Sequence, residues 1–242
     1  MFGLFKKSPP PADPVFTDIH SHLIPGVDDG VQSMEDALTL IEAFADKGYK
    51  KLVTTPHIMS DVYPNNEAHL IRIYHDLKHR LAAKNIDIEL LLAAEYYLDD
   101  QLYQRMKDGD EHLLTFGDNY LLFETGFMNQ PLYLKDFIFQ AQSKGYRLVM
   151  AHPERYQYMI TDTKLIEELH DRGVLFQLNI NSLTGYYSKP VKKLAEQLIK
   201  NKQVHFIGSD CHNQKHFETL VAARSSKFYQ KALALPLLNR TL

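Results

Sequence analysis

The sequence predicts an α/β fold whose strands run parallel in a closed, barrel-like sheet. Three observations predict it. A short β-branched or apolar run followed by a helix-spaced segment recurs seven times, a pattern that calls for parallel strands joined by right-handed crossovers. The chain has 242 residues, about the size at which an α/β barrel forms as one unit. Apolar residues make up 45% and charged residues 24%, a balance that supplies a globular core rather than disorder.

The opening stretch, MFGLFKKSPPPADP (residues 1–14), reads as a flexible tail, because its prolines hold it extended and leave it little to pack. Too few apolar residues precede Lys6 and Lys7 for a signal-peptide core. The cluster of Phe2, Leu4 and Phe5 is short enough to bind a membrane only marginally. No linker follows Pro14, so residues 15–242 are expected to form a single domain. Its first strand is the run Val15–His20. Ser33 and Asp36 then resemble a capping box, and Leu38, Ile41 and Phe44 supply a helical apolar stripe. The second and third runs are Lys51–His57 and Ile88–Tyr97, and the fourth is Tyr120–Gly126. Arg147–Pro153, Val174–Ser182 and Val204–His212 complete the set. Gly48, Gly145 and Gly173 stand just before strands, where a helix end favours a left-handed residue. Pro131 and Pro190 fit first-turn helix positions.

Composition excludes several function classes. Lys plus Arg (27) against Asp plus Glu (30) leave a net charge of -3, which argues against a nucleic-acid partner. No stretch approaches the ~20 apolar residues of a membrane span, so the cytoplasm is the expected compartment. A single cysteine excludes a disulfide framework and a cysteine-rich zinc module.

The chemistry gathers at the strand ends. The first run leads into Asp18-Ile19-His20-Ser21-His22, where alternate residues of an extended chain share a face. Later runs end in His57, Glu95, Glu124 and His152-Pro153-Glu154-Arg155, and the seventh in Ser209-Asp210-Cys211-His212. The sixth ends in Asn179 and Asn181, which suit hydrogen bonding to a ligand better than metal binding. In parallel α/β folds these ends face one side, where the active site lies. Asp28-Asp29-Gly30 adds a further carboxylate from the first loop. Any one strand-end histidine or glutamate is more often an ordinary hydrogen-bonded residue, but two alternate-residue pairs plus four single ligands point jointly to a metal cluster. Imidazole and carboxylate without thiolate suit Mn, Fe or Zn, and eight or nine ligands are enough for two or three ions.

The other histidines show no such convergence. His69, His75, His79 and His170 fall in helical segments, His112 in a loop, and His205 opens a strand. Cys211, between Asp210 and His212, should point away from the cleft as a packing residue. The arginine that a cysteine-phosphatase loop requires is replaced here by Phe217. A nucleophile elbow, a P-loop and a glycine-rich dinucleotide fingerprint are absent from the sequence.

The stretches His20-Ser21-His22 with Asp28-Asp29-Gly30, Thr55-Pro56-His57, Ala94-Glu95 and Phe123-Glu124 carry a resemblance. So do His152-Pro153-Glu154-Arg155 and Ser209-Asp210-Cys211-His212-Asn213. Together they resemble the PHP (polymerase and histidinol phosphatase) superfamily, and within it the bacterial tyrosine-phosphatase branch associated with capsule and exopolysaccharide synthesis. The resemblance runs from about Val15 to about residue 230. It implies a distorted seven-stranded (β/α) TIM-like barrel and a site of two or three metal ions, usually Mn, with Fe, Zn or Mg as alternatives. The ligands it implies are His20, His22, Asp29, His57, Glu95, Glu124, His152, Asp210 and His212, with Asp28 the neighbour that competes with Asp29. Arg155 matches the family's phosphate-contacting arginine, and Asp210 and His212 join it as catalytic candidates. A second arginine usual after the last motif is missing, and Lys215 or His216 stands in that stretch. A lysine there offers a point charge rather than a two-pronged fork.

The reaction expected of such a site is metal-assisted hydrolysis of a phosphomonoester, the metals lowering the pKa of water to about 7. The implied substrate is a phosphotyrosine protein, specifically a bacterial tyrosine autokinase. Tyr186 and Tyr187, with Lys189, are candidates to line the entrance. Homo-oligomerisation stays open. Two other readings compete: a phosphatase of a small ester such as histidinol phosphate, and a non-catalytic metal-loaded regulatory module. A deaminase of the amidohydrolase type would use a bridging lysine where this chain offers Glu95 and Glu124.

Overall fold

A computed structural model describes residues 15–109 and 113–242. The expected tail and His112 lie outside the described residues. Strands, single or in broken pairs, are followed by helices along the chain, and every ladder between the strands is parallel. The elements are β1 (Thr17–Asp18), α1 (Met34–Asp46), β2 (Lys51–Thr54), β3 (His57–Ile58), α2 (Glu67–Ala83), β4 (Glu89–Leu92) and β5 (Glu95–Tyr97). Then come α3 (Asp100–Asp108), β6 (Tyr120–Glu124), α4 (Leu134–Ser143), β7 (Arg147–Ala151), α5 (Gln157–Thr161) and α6 (Lys164–Asp171). β8 (Leu175–Asn179), α7 (Lys189–Lys200), β9 (Phe206–Gly208), α8 (Gln214–Ala223) and α9 (Lys227–Leu233) complete the order.

Among the described residues nine strands stand where seven are expected, in two sheets ordered β1-β2-β4 and β3-β5-β6-β7-β8-β9. The second and third runs are each broken in two. Pro56 has no N–H to donate, so the ladder lapses beside it, and Thr55 turns its N–H onto the Ser21 carbonyl at 2.7 Å. Register survives the break: Lys51 pairs with Glu89 before it and His57 with Glu95 after it. The two sheets also approach at their outer edges. Ser21 bridges Cys211 in parallel, His22 N donates to the Cys211 carbonyl at 2.9 Å, and Asp210 N donates to the His20 carbonyl at 2.8 Å.

Asn239 stitches the other end of that seam. Its amide donates to the carbonyls of Thr17 (3.1 Å) and Ile207 (2.8 Å) and accepts from Ile207 N at 3.0 Å. Inside, Ile19, Val53, Leu122, Val149 and Phe206 pack into one apolar cluster. A larger cluster lies between strands and helices. Each such side chain contributes about 1.5–3 kcal/mol on burial.

The helices follow their spacing. Leu38, Ile41 and Phe44 of α1 are buried, and Ser33 Oγ caps the helix by accepting from Asp36 N at 3.1 Å. Gly48, Gly145 and Gly173 have φ of 92°, 84° and 82°, as the helix ends require. Pro190 is in the first turn of α7. Pro131 is not in a first turn. It precedes α4 by a short turn, its carbonyl accepting from Leu134 N at 3.2 Å. Among the described residues no helix is long and apolar enough to cross a membrane.

Candidate metal centre

Because the strands are parallel, their carboxyl ends meet on one side, and the nine expected ligands arrive there together. Glu95 is the hub. It is fully buried, with Oε2 3.0 Å from His20 Nε2, 3.4 Å from His22 Nε2 and 3.3 Å from His57 Nδ1. Its Oε1 lies 3.0 Å from His152 Nε2. Glu124 Oε1 reaches His57 Nδ1 at 3.1 Å. Asp210 Oδ1 is 3.5 Å from His20 Nε2 and 3.4 Å from His22 Nε2. Asp29 Oδ1 is 3.3 Å from His212 Nε2 and 3.6 Å from His57 Nε2. Three overlapping groups, His22–Asp29–His57–His212, His20–His22–Glu95 and His57–Glu95–Glu124, each hold their ligand atoms within 4.8 Å of one another.

The tautomers follow from the partners on the far side of each ring. His20 Nδ1 faces Gln177 Oε1 at 2.8 Å, His22 Nδ1 faces Asp28 Oδ2 at 2.9 Å, and His212 Nδ1 faces the Asp210 carbonyl at 2.9 Å. An oxygen acceptor calls for a proton on Nδ1, which leaves Nε2 as the lone pair in all three rings. Asp28 is therefore a positioning residue. Buried, it also accepts from the backbone N–H of Gly30 and His57. Asp29, half-exposed at the cleft, turns its carboxylate toward the rings of His57 and His212. A Cβ on Gly30 would come 2.3 Å from the His22 carbonyl oxygen, so this loop needs glycine to close on the site.

Charge in the cluster is finely opposed. Burial raises the Glu95 carboxyl, but the His20 and His57 imidazoles hold it well below the usual range. Burial lowers His20, and the Glu95 and Asp210 carboxylates more than reverse this, pushing it up to about 9. Burial also opposes ionisation of Asp28, yet His22 and the two backbone N–H groups hold it at about 2.

The residues fit divalent metal ions. His20 Nε2 and His22 Nε2 approach to 3.3 Å beside carboxylate oxygens, so nitrogen and carboxylate donors converge on points that a divalent cation can occupy. His57 Nδ1 and His152 Nδ1 are buried without a hydrogen-bond partner, although His57 Nδ1 lies close to two carboxylates. Nitrogen and oxygen donors with no thiolate suit Mn, Fe or Zn. His152 (φ 33°) and Asp210 (φ 49°) both hold left-handed backbone, a cost that concentrates at functional sites.

The cluster floors a cleft of 470 Å³. Tyr63 stacks on His57 with ring centroids 5.4 Å apart. Arg155 is clamped on the wall between Phe127 (4.7 Å) and Tyr187 (4.3 Å), with Nη1 2.8 Å from Asp210 Oδ2.

The family model for capsular polysaccharide synthesis, CpsB/CapC, matches residues 16–232. The chain belongs to the CpsB/CapC family. Tyrosine-protein phosphatase YwqE of Bacillus subtilis is 31% identical over 199 residues, spanning 82% of this chain and 78% of its own. Tyrosine-protein phosphatase CpsB of Streptococcus pneumoniae is 29% identical over 205 residues, with 81% and 82% covered. A solved structure from work on YwqE and CpsB of those organisms, described there as unique metal-dependent tyrosine phosphatases, superposes with a TM-score of 0.78. It shares 26% identity and covers 92% of this chain and 96% of its own.

Within this CpsB/CapC chain not every sequence candidate reaches the cleft. Lys215, on α8, is outside the lining, with Nζ 5.9 Å over the Tyr186 ring. His216 does line the cleft, its Nδ1 3.2 Å from the Asp210 carbonyl. Tyr187 lines it, whereas Lys189 begins α7 outside. Cys211 is buried in the core with its thiol pushed well above the usual range by burial. Asn179 donates to Asp210 Oδ2 at 2.6 Å, and Glu154 lies beneath, accepting from Asn179 N and Ser182 Oγ. Sequence reasoning missed Gln177, which holds His20 and also accepts from His152 N at 3.2 Å. Its signal was a glutamine inside an otherwise apolar strand run.

Proposed function

We propose that this chain is a metal-dependent protein-tyrosine phosphatase. One observation carries the reading: Glu95 and eight further nitrogen and oxygen donors converge at the floor of a cleft whose wall presents Arg155. The proposed ligands are His20, His22, Asp29, His57, Glu95, Glu124, His152, Asp210 and His212, holding two or three Mn ions. Such ions supply Lewis acidity and a water of lowered pKa. Arg155 binds the non-bridging phosphate oxygens, its guanidinium oriented by two ring faces and by Asp210 before substrate arrives. Tyr63, Phe127 and Tyr187 enclose the phenyl ring and exclude water from it. A phenolate, of pKa about 10, leaves with less protonation than an aliphatic alkoxide needs. Lys215 adds positive charge on the approach rather than a contact.

The reading extends to three finer points. The seven strand positions close as a distorted barrel, supported by the Ser21–Cys211 bridge. The substrate is a tyrosine autokinase of capsule or exopolysaccharide synthesis, in keeping with the family. The proposed site of action is the cytoplasm.

The test compares turnover of a phosphotyrosine peptide with that of histidinol phosphate, alongside elemental analysis of the purified protein. Preference for the peptide is expected, with activity abolished in His20→Ala/His22→Ala and after chelation. Full activity in that double variant would sink the reading.

A further inference from the structure

We infer that a groove beside the cleft binds the polypeptide segment next to the phosphotyrosine, and that it selects apolar and basic residues there. The inference rests on the phosphatase reading and names what that site recognises beyond the phosphorylated ring.

The groove has a volume of 890 Å³ and joins the cleft through Phe127, which lines both. The turn Met59–Tyr63 forms the ridge between them. Met59, Val62 and Tyr63 face the cleft, while Ser60 and Asp61 face the groove. That ridge is anchored. Ser60 N and Oγ both donate to Asp99 Oδ2, at 3.0 and 2.6 Å, and Asp99 caps α3 through Leu102 N. A chain that leaves the cleft past Phe127 therefore enters a preformed channel.

The surface is unusual in two ways. Eight large apolar side chains are exposed among the described residues, and four of them, Val62, Phe127, Met128 and Leu132, line the cleft or this groove. Met128 is 68% exposed and Leu132 fully exposed. Such clustering marks a binding surface rather than scattered surface residues. The groove wall also carries Asp61, Asp99 and Asp100 and no lysine or arginine. Its charge complements a basic segment and repels an acidic one. A phosphate-accepting cleft and an acidic groove side by side thus require a substrate that carries opposite charges on adjacent residues.

The experiment measures kcat/KM for two phosphotyrosine peptides, one flanked by leucine and arginine and one by glycine and glutamate, together with p-nitrophenyl phosphate. The wild-type protein is expected to prefer the leucine–arginine peptide by about tenfold. Leu132→Asp and Asp61→Lys, both at exposed positions, are expected to remove that preference through KM while p-nitrophenyl phosphate turnover stays unchanged. Retention of the full preference in both variants would overturn the inference, as would parallel loss on all three substrates. A wild-type protein that turns over both peptides equally overturns the groove alone. One that turns over none of the three substrates overturns the phosphatase reading and the groove with it.

Discussion

Asp28 Oδ2 sits 2.9 Å from His22 Nδ1, on the side of the ring away from the cluster. The carboxylate thereby fixes the tautomer that turns Nε2 toward Glu95 and Asp210. Asp28→Ala should weaken metal affinity by about 10–100-fold while leaving every proposed ligand in place. Metal titration followed by calorimetry checks this, and wild-type affinity in the variant would refute the positioning role.

Arg155 depends on its shape as much as its charge. A lysine keeps the positive charge but loses the planar fork and the stacking between Phe127 and Tyr187. Arg155→Lys should lower kcat/KM for an aryl phosphate by about 10–100-fold, with metal content unchanged. Steady-state kinetics beside elemental analysis separates this from a damaged cluster.

Asn239 is buried and makes hydrogen bonds to both sides of the seam between β1 and β9. Asn239→Ala strands backbone groups on both strands and should cost about 2–3 kcal/mol. Urea denaturation gives the difference. A change below about 0.5 kcal/mol, the range of ordinary surface substitutions, would show that the seam does not depend on it.

His205 lies away from the cluster and provides a cleaner pH probe. Burial, with the charge of His170 nearby, lowers it from 6.5 to about 4, and its Nδ1 accepts from Phe176 N at 3.1 Å. The unfolded chain therefore binds more protons between those values. Stability held above pH 6.5 is lost as pH falls toward 4, with a slope of at most about 1.4 kcal/mol per pH unit from this group. His205→Asn should flatten that part of the curve, measured as the difference from wild type by chemical denaturation at several pH values.

Much of the site was legible because ligand chemistry and strand ends coincide. His20 and His22 are spaced by two, and period-two geometry puts them on one face, whereas Asp210 and His212 share that spacing but reach the cluster through the left-handed backbone at Asp210. Asp28 and Asp29 are different. Adjacent acids in a loop carry no periodicity, and only the backbone closing over Gly30 decides which one faces inward. Gln177 was obscured for a related reason, since a polar residue inside an apolar strand states its partner only once the neighbouring strand is placed. The strand count failed at Pro56 and at Ala93-Ala94, where the ladder lapses while the register continues. Lys215 shows the limit of matching by position: one helical step separates it from His216, and that step turns it out of the cleft.

The seam has a consequence for how the protein is made. Ser209 reaches Asp18 across 191 positions of sequence, with N and Oγ each 2.7 Å from its carboxylate. Contacts so distant along a chain close late, because loop entropy must be lost before they form. His20 and His22 wait at one end of the polypeptide for Asp210 and His212 at the other. A ribosome-bound chain halted before β9 should therefore fold much of its helical layer and still leave the cluster incomplete, without Asp210 and His212. Metal uptake would mark the last step of folding, and stopped-flow mixing should place it in the slowest phase.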